Sequence, residues 1–190
     1  MTVLKEVRNL VLPLPVTLTT CRARKGDESS DNIIPLSWVG IGDYQPHMVH
    51  ISIGTDKYSA RVIADRKEFG LCIASEQLIA EVDRCGYAHG NETDKFKMTG
   101  LTKTPARMID AVLIGECPIG LECRVTASVE LKTHTMFIAE VLCTHVQEHY
   151  LDGGGTPDLK RMNILCYADG RYWALGREIN SLYYTKTGTR

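Results

Sequence analysis

From Glu122 to Lys132 the chain alternates with little interruption, Cys123, Val125, Ala127, Val129 and Leu131 on one side and Glu122, Arg124, Thr126, Ser128, Glu130 and Lys132 on the other. A period of two marks a strand with one buried and one wet face, the kind that antiparallel sheets use. Thr133-His134-Thr135 then leads into a second apolar run, Met136 to Thr144, which predicts a hairpin with His134 at or near its turn. Further on, Ile164 to Ala168 and Tyr172 to Leu175 flank Asp169-Gly170, a pair suited to a type I′ turn. Upstream, Val16 to Arg22, Asn32 to Val39 and Met48 to Gly54 are short segments rich in Val, Ile, Thr and Trp, and they also read as strands. The polar run Arg24 to Asp31 joins the first two, and Pro35 places its strand at an edge or a bulge.

Helical signals are few. Ser75-Glu76 opens a segment in which Leu78, Ile79 and Val82 share a face, with Gly86 expected just past its end. Many short strands without a βαβ alternation predict a mainly β chain, a closed or nearly closed antiparallel barrel. A length of 190 residues, 44% of them hydrophobic, fits one domain over 1–190.

Charge and cysteine content narrow the function classes. Lys and Arg number 22 against 23 Asp and Glu, with no like-charge run to track a phosphate backbone, so nucleic acid is not an expected partner. No apolar stretch approaches roughly 18 residues, and Lys5, Glu6 and Arg8 stand where a signal peptide would be apolar. A cytoplasmic location without membrane contact is expected. The seven cysteines form no C-x-x-C and mostly lie in apolar runs, so buried reduced thiols are expected.

Three segments could carry chemistry. Lys57-Tyr58-Ser59-Ala60-Arg61 follows a strand and precedes a helix-compatible run, Val62 to Lys67. A helix start offers free N–H groups and a favourable dipole, and together with the Ser59 hydroxyl, Lys57 and Arg61 it would cradle an anion. The alternative, favoured by composition alone, is that Ser59 caps the helix and the two bases are solvated. His145-Val146-Gln147-Glu148-His149 fits the H-x-x-E-H pattern of one class of zinc peptidases. Because it continues an apolar strand run, its two histidines would lie about 13 Å apart, too far for one zinc, and a zinc hydrolase is the remote reading. Gly153-Gly154-Gly155 lacks the spacing of a nucleotide loop and reads as a surface loop. No catalytic triad and no metal site is assigned.

In order, Leu14 to Thr20, Asn32 to Trp38, Lys57 to Arg61, Asp94-Lys95-Phe96 with Gly100-Leu101-Thr102, Glu116-Cys117-Pro118 with Leu121-Glu122-Cys123, His134 to Val141, and Leu165-Cys166-Tyr167 with Gly170 and Tyr172 resemble the flavin reductase-like, FMN-binding split barrels, and within them the flavoredoxin branch. The resemblance covers nearly the whole chain and implies an antiparallel Greek-key split β-barrel with a few short helices. It also implies FMN contacts from Asn32, Trp38, Ser59, Lys95, His134 and Tyr167, to which Ser37, Ser52, Lys57 and Tyr58 are added as candidate cofactor-binding residues. Without it, Trp38 reads as a core aromatic and His134 as a turn residue. Two departures stand out: Phe69-Gly70-Leu71-Cys72 lacks the Asn common in that run, and His89 occupies the place of a small Ser. The function it implies is an oxidoreductase passing electrons from NADH or NADPH through FMN to free flavin, ferric iron or a protein. The alternative is a non-enzymatic carrier serving protein redox partners alone. A homodimer is expected in either case.

Overall fold

The computed structural model describes residue 6 and residues 8–182 of the chain; Lys5, one of the charges read at the N-terminus, lies outside them. Twelve strands are present among these residues. β1 (Leu14–Pro15), β2 (Thr17–Arg22), β3 (Asp31–Leu36), β4 (Val39–Tyr44), β5 (His47–Gly54) and β6 (Glu68–Ile73) come from the first half of the chain. β7 (Lys103–Pro105), β8 (Val112–Ile114), β9 (Ile119–Glu130), β10 (His134–Val146), β11 (Leu165–Ala168) and β12 (Arg171–Ala174) complete the set. Four short helices accompany them, α1 (Tyr58–Arg66), α2 (Ile79–Tyr87), α3 (Lys95–Thr99) and α4 (Leu159–Met162).

Seven strands form one antiparallel sheet in the order β3-β2-β6-β9-β10-β5-β4. Its two outermost strands are consecutive in sequence and joined through Ser37-Trp38, so the sheet curls back on itself into a barrel. The Ser52 N–H donates to the Trp38 carbonyl at 2.9 Å and holds the seam. The segment expected as one strand from Asn32 to Val39 is therefore two, bent at Ser37-Trp38. β3 is an edge strand, which lets it carry Pro35 opposite Leu18 without losing a ladder bond.

Adjacent residues on the central strands face two different cores. Leu71 of β6 joins Cys21, Ile51, Ile53, Phe69, Cys123, Phe137 and Ala139 inside the barrel, where α1 inserts Ala60, Val62 and Ile63. Its neighbour Cys72 points outward into a second cluster with Leu18, Ile33, Val82, Phe96 and Leu113, roofed by α2, α3 and β8. Burial on both faces explains why β2 and β6 lack alternation. The three-stranded sheet β1-β11-β12 is tied to the barrel by Val16 N–H to Leu165 O and Leu165 N–H to Ala74 O, at 3.0 and 2.9 Å. Its Asp169-Gly170 turn has φ of 47° and 78°, the double positive pair that a type I′ turn needs.

Three expectations change in detail. Gly86 lies within α2, which runs one residue further to Tyr87, and a Cβ there would make ordinary contact with the Pro35 ring at 3.6 Å. Lys132 belongs to the β9–β10 turn, and β9 ends at Glu130. On β9 the predicted buried face emerges from the core, with Val129 exposed, while Glu122 on the predicted polar face is wholly buried. The register shifts between β9 and β10 accompany this change of exposure. All seven cysteines are free, and all but Cys143 are buried.

Candidate functional site

A cleft of about 640 Å³ opens where the β3–β4 bend, the end of β5, the start of α1 and the start of β10 meet the segment following α2. That volume suits a ligand the size of a mononucleotide. Ser37, Trp38, Ser52, Lys57, Tyr58, Ser59, Lys95, His134 and Tyr167 all line it. Asn32 does not; it sits one layer behind, buried in β3, and its Nδ2 donates to Ser59 Oγ at 2.8 Å. Arg61, read from the sequence as part of the anion cradle, also lines the cleft, as does His89, which is not among the candidate site residues. His89 had been noted only as a departure. The other departure, Phe69 to Cys72, is core: Phe69 and Cys72 are fully buried in the two clusters, away from the cleft.

At the start of α1 Lys57 is the N-cap residue, and no side chain caps the helix. Ser59 is the second helical residue, so the capping role that composition favoured is not the one it plays. Its hydroxyl accepts the Asn32 amide, and the helix start is left open to the cleft, with Asp56 beside it paired to Lys57 at 3.3 Å. Beside it Lys95 is only 4% exposed. Its ammonium donates to the Cys85 carbonyl at 2.7 Å. Among the described residues no carboxylate lies within ion-pair distance of it. Burial pulls its pKa below the ordinary lysine value, against the thiols of Cys85 and Cys21 and with help from Lys57. An unpaired buried ammonium beside an uncapped helix start is a demand for an anion.

The floor of this corner is tightly made. Asn32 Oδ1 is buried with no partner. A Cβ on Gly90 would stand 2.4 Å from that oxygen, so only glycine lets the segment after α2 close over the amide. Beneath Ser59 lies the Cys21 thiol, pushed by burial up to about 12, which keeps it protonated and inert. At the opposite end the Trp38 and His134 rings stack at 4.5 Å with 27° between their planes, and Trp38 remains 45% exposed. His134 Nδ1 is 2.9 Å from Thr133 Oγ1, which orients the ring. The cleft thus has a cationic, donor-rich end and an aromatic, solvent-facing end, the pattern that fits a planar ring system carrying a phosphate tail.

An antiparallel split barrel with an anion cradle at a strand-to-helix junction and an aromatic rim defines a phosphate-tailed cofactor binder. Comparison with known proteins is specific: residues 8–176 match the family described as "Flavin reductase like domain", and the chain belongs to that family. Among solved structures, the flavoredoxin of Desulfovibrio vulgaris (Miyazaki F) is 29% identical and superposes with a TM-score of 0.88 over 98% of this chain and 100% of that one. Flavoredoxin from Methanosarcina acetivorans is 26% identical with a TM-score of 0.86, over 99% of each chain. An FMN-binding protein from Thermus thermophilus shares the fold at 17% identity and a TM-score of 0.79, over 95% of this chain and 99% of that one.

The lowered pKa of Lys95 predicts a pH dependence. Between the folded value and the higher unfolded one, the unfolded chain holds more protons, so the stability of the flavin-free protein rises with pH across that window and is least below it. Lys95→Met removes this contribution. Urea denaturation of the two proteins should show their stability difference shrinking as pH climbs toward the ordinary lysine value; a difference independent of pH would count against a buried unpaired ammonium.

Proposed function

We propose that the cleft holds FMN and that the chain is an FMN-dependent oxidoreductase, taking electrons from NADH or NADPH and delivering them to free flavin, ferric iron or a protein. The observation that carries this reading is the buried Lys95 ammonium, without a carboxylate partner, next to the uncapped start of α1. Ser59 Oγ and the free N–H groups of α1 would donate to the phosphate, and Lys95 would supply a point charge, with Arg61 and Lys57 at the mouth. Asn32 acts through Ser59, fixing its hydroxyl. Ser37, Ser52 and Tyr58 offer hydrogen bonds along the wall, while Trp38, His134 and Tyr167 offer apolar surface with a polar handle for the ring. Bound FMN supplies hydride acceptance and one- or two-electron transfer; the chain's residues position it and leave one side of the cleft open to solvent.

Likeness over nearly their full lengths to two flavoredoxins supports a second reading, an electron carrier that exchanges electrons with protein partners and does not turn over nicotinamide. Anaerobic stopped-flow separates the two. Rapid bleaching of the flavin by NADH or NADPH is the expected result, and bleaching by a low-potential protein donor alone would establish the carrier.

The phosphate assignment has its own test. Each charge-assisted bond to phosphate contributes about 1.5–3 kcal/mol, so Ser59→Ala combined with Lys95→Ala should weaken FMN by roughly a hundredfold or more while riboflavin changes little. Calorimetry that found equal losses for the two flavins would move the phosphate elsewhere.

A further inference from the structure

The H-x-x-E-H segment does not lie on one helix: His145 lies within β10, one residue before its end, and His149 falls in a short 3₁₀ turn, Glu148–Tyr150. His145 instead faces other partners. Cys143 and His145 are two residues apart on β10 and leave the same face of the strand, and Cys143 is paired in register with Glu122 of β9. One ligand atom from each of these three side chains lies within 4.8 Å of the other two. Glu122 is 0% exposed, whereas the His145 side chain keeps 27% of its surface in solvent and Cys143 is half-buried. The cluster has a fixed back and an open front.

Glu122 is fixed from behind although it is buried. The Arg107 N–H donates to Oε1 at 2.9 Å and the Met108 N–H to Oε2 at 2.6 Å. Its remaining contact is His145 Nε2, 2.5 Å from Oε1. Neither the flavin chemistry nor the cleft uses the cluster, since His145 lies eleven residues along β10 from His134, an extended path of about 36 Å.

We propose that Glu122, Cys143 and His145 bind a divalent cation of the zinc class, with water as the fourth ligand. A carboxylate, a thiolate and a neutral imidazole balance a 2+ ion, and an O, S, N donor set selects zinc-like metals over calcium or magnesium. Tetrahedral bonds of about 2.0–2.3 Å set donor atoms about 3.3–3.7 Å apart, so the ion enters by opening the Nε2–Oε1 contact about 1 Å and drawing in the thiol. On loading, the Cys143 thiol proton leaves to solvent, and His145 binds through Nε2 in the tautomer that carries its proton on Nδ1. The ion would pin the ends of β9 and β10 to the 107–108 segment.

Cobalt(II) serves as the spectroscopic probe on the full chain. One equivalent should bind with a thiolate-to-cobalt charge-transfer band, release about one proton, and be displaced by zinc. Cys143→Ser should abolish the band, and Cys143→Ser and His145→Gln should each weaken zinc by more than about tenfold. Circular dichroism checks that both variants keep the wild-type fold. Absence of the band overturns the proposal, and so does zinc affinity equal in wild type and both variants, which would place the ion on surface histidines such as His47 or His149. The outcome is independent of whether the cleft holds FMN.

Discussion

The site depends on one ammonium group kept out of water without an opposite charge. Burying Lys95 beside an open helix start costs stability in the flavin-free protein, offset only by its bond to the Cys85 carbonyl, while its neighbour Phe96 supplies the hydrophobic anchor of α3. An anion in the cleft reverses the sign of that cost. The same logic covers the bare N-terminus of α1, whose free N–H groups face the cleft. A buried ammonium and free helix N–H groups gathered around one cavity describe an anionic ligand.

The barrel makes this corner possible by the way it closes. Because β3 and β4 are one chain bent at Ser37-Trp38, the seam delivers Trp38 onto His134 at the far rim while β3 runs back to place Asn32 under Ser59. One bend therefore spaces the aromatic end from the cationic end. Helix α1 plugs the barrel through Ala60, Val62 and Ile63, so the position of its N-terminus is set by core packing and stays rigid without a capping side chain.

Much of this was legible in the residues. Alternation and the Asp169-Gly170 turn specify antiparallel strands, and Lys57 to Arg61 has the residue types of a strand-to-helix anion cradle, although composition alone favours a plain Ser59 cap. Nine of the ten candidate cofactor-binding residues line the cleft, most of them through family resemblance, since Trp38 and His134 taken singly read as core and turn. Gly86 has the residue type of a helix stop, but α2 continues through it to Tyr87 with Ala88 as the C-cap. The rest of what was missed turns on long-range contacts. β4 was hidden by Gly40 and Gly42; at Gly40 a Cβ would meet the His50 ring at 2.5 Å, a clash invisible without the pairing partner. Glu122 followed the polar period of β9 and is nonetheless buried, because the backbone of Arg107 and Met108 folds onto it.

The most direct test is a crystal structure of the FMN-loaded chain. The account predicts a phosphate within hydrogen-bond distance of Lys95 Nζ and Ser59 Oγ at the start of α1, with the flavin ring lying toward Trp38 and His134. A phosphate left in solvent or seated on another face, with Lys95 still bonded only to the Cys85 carbonyl, would contradict it.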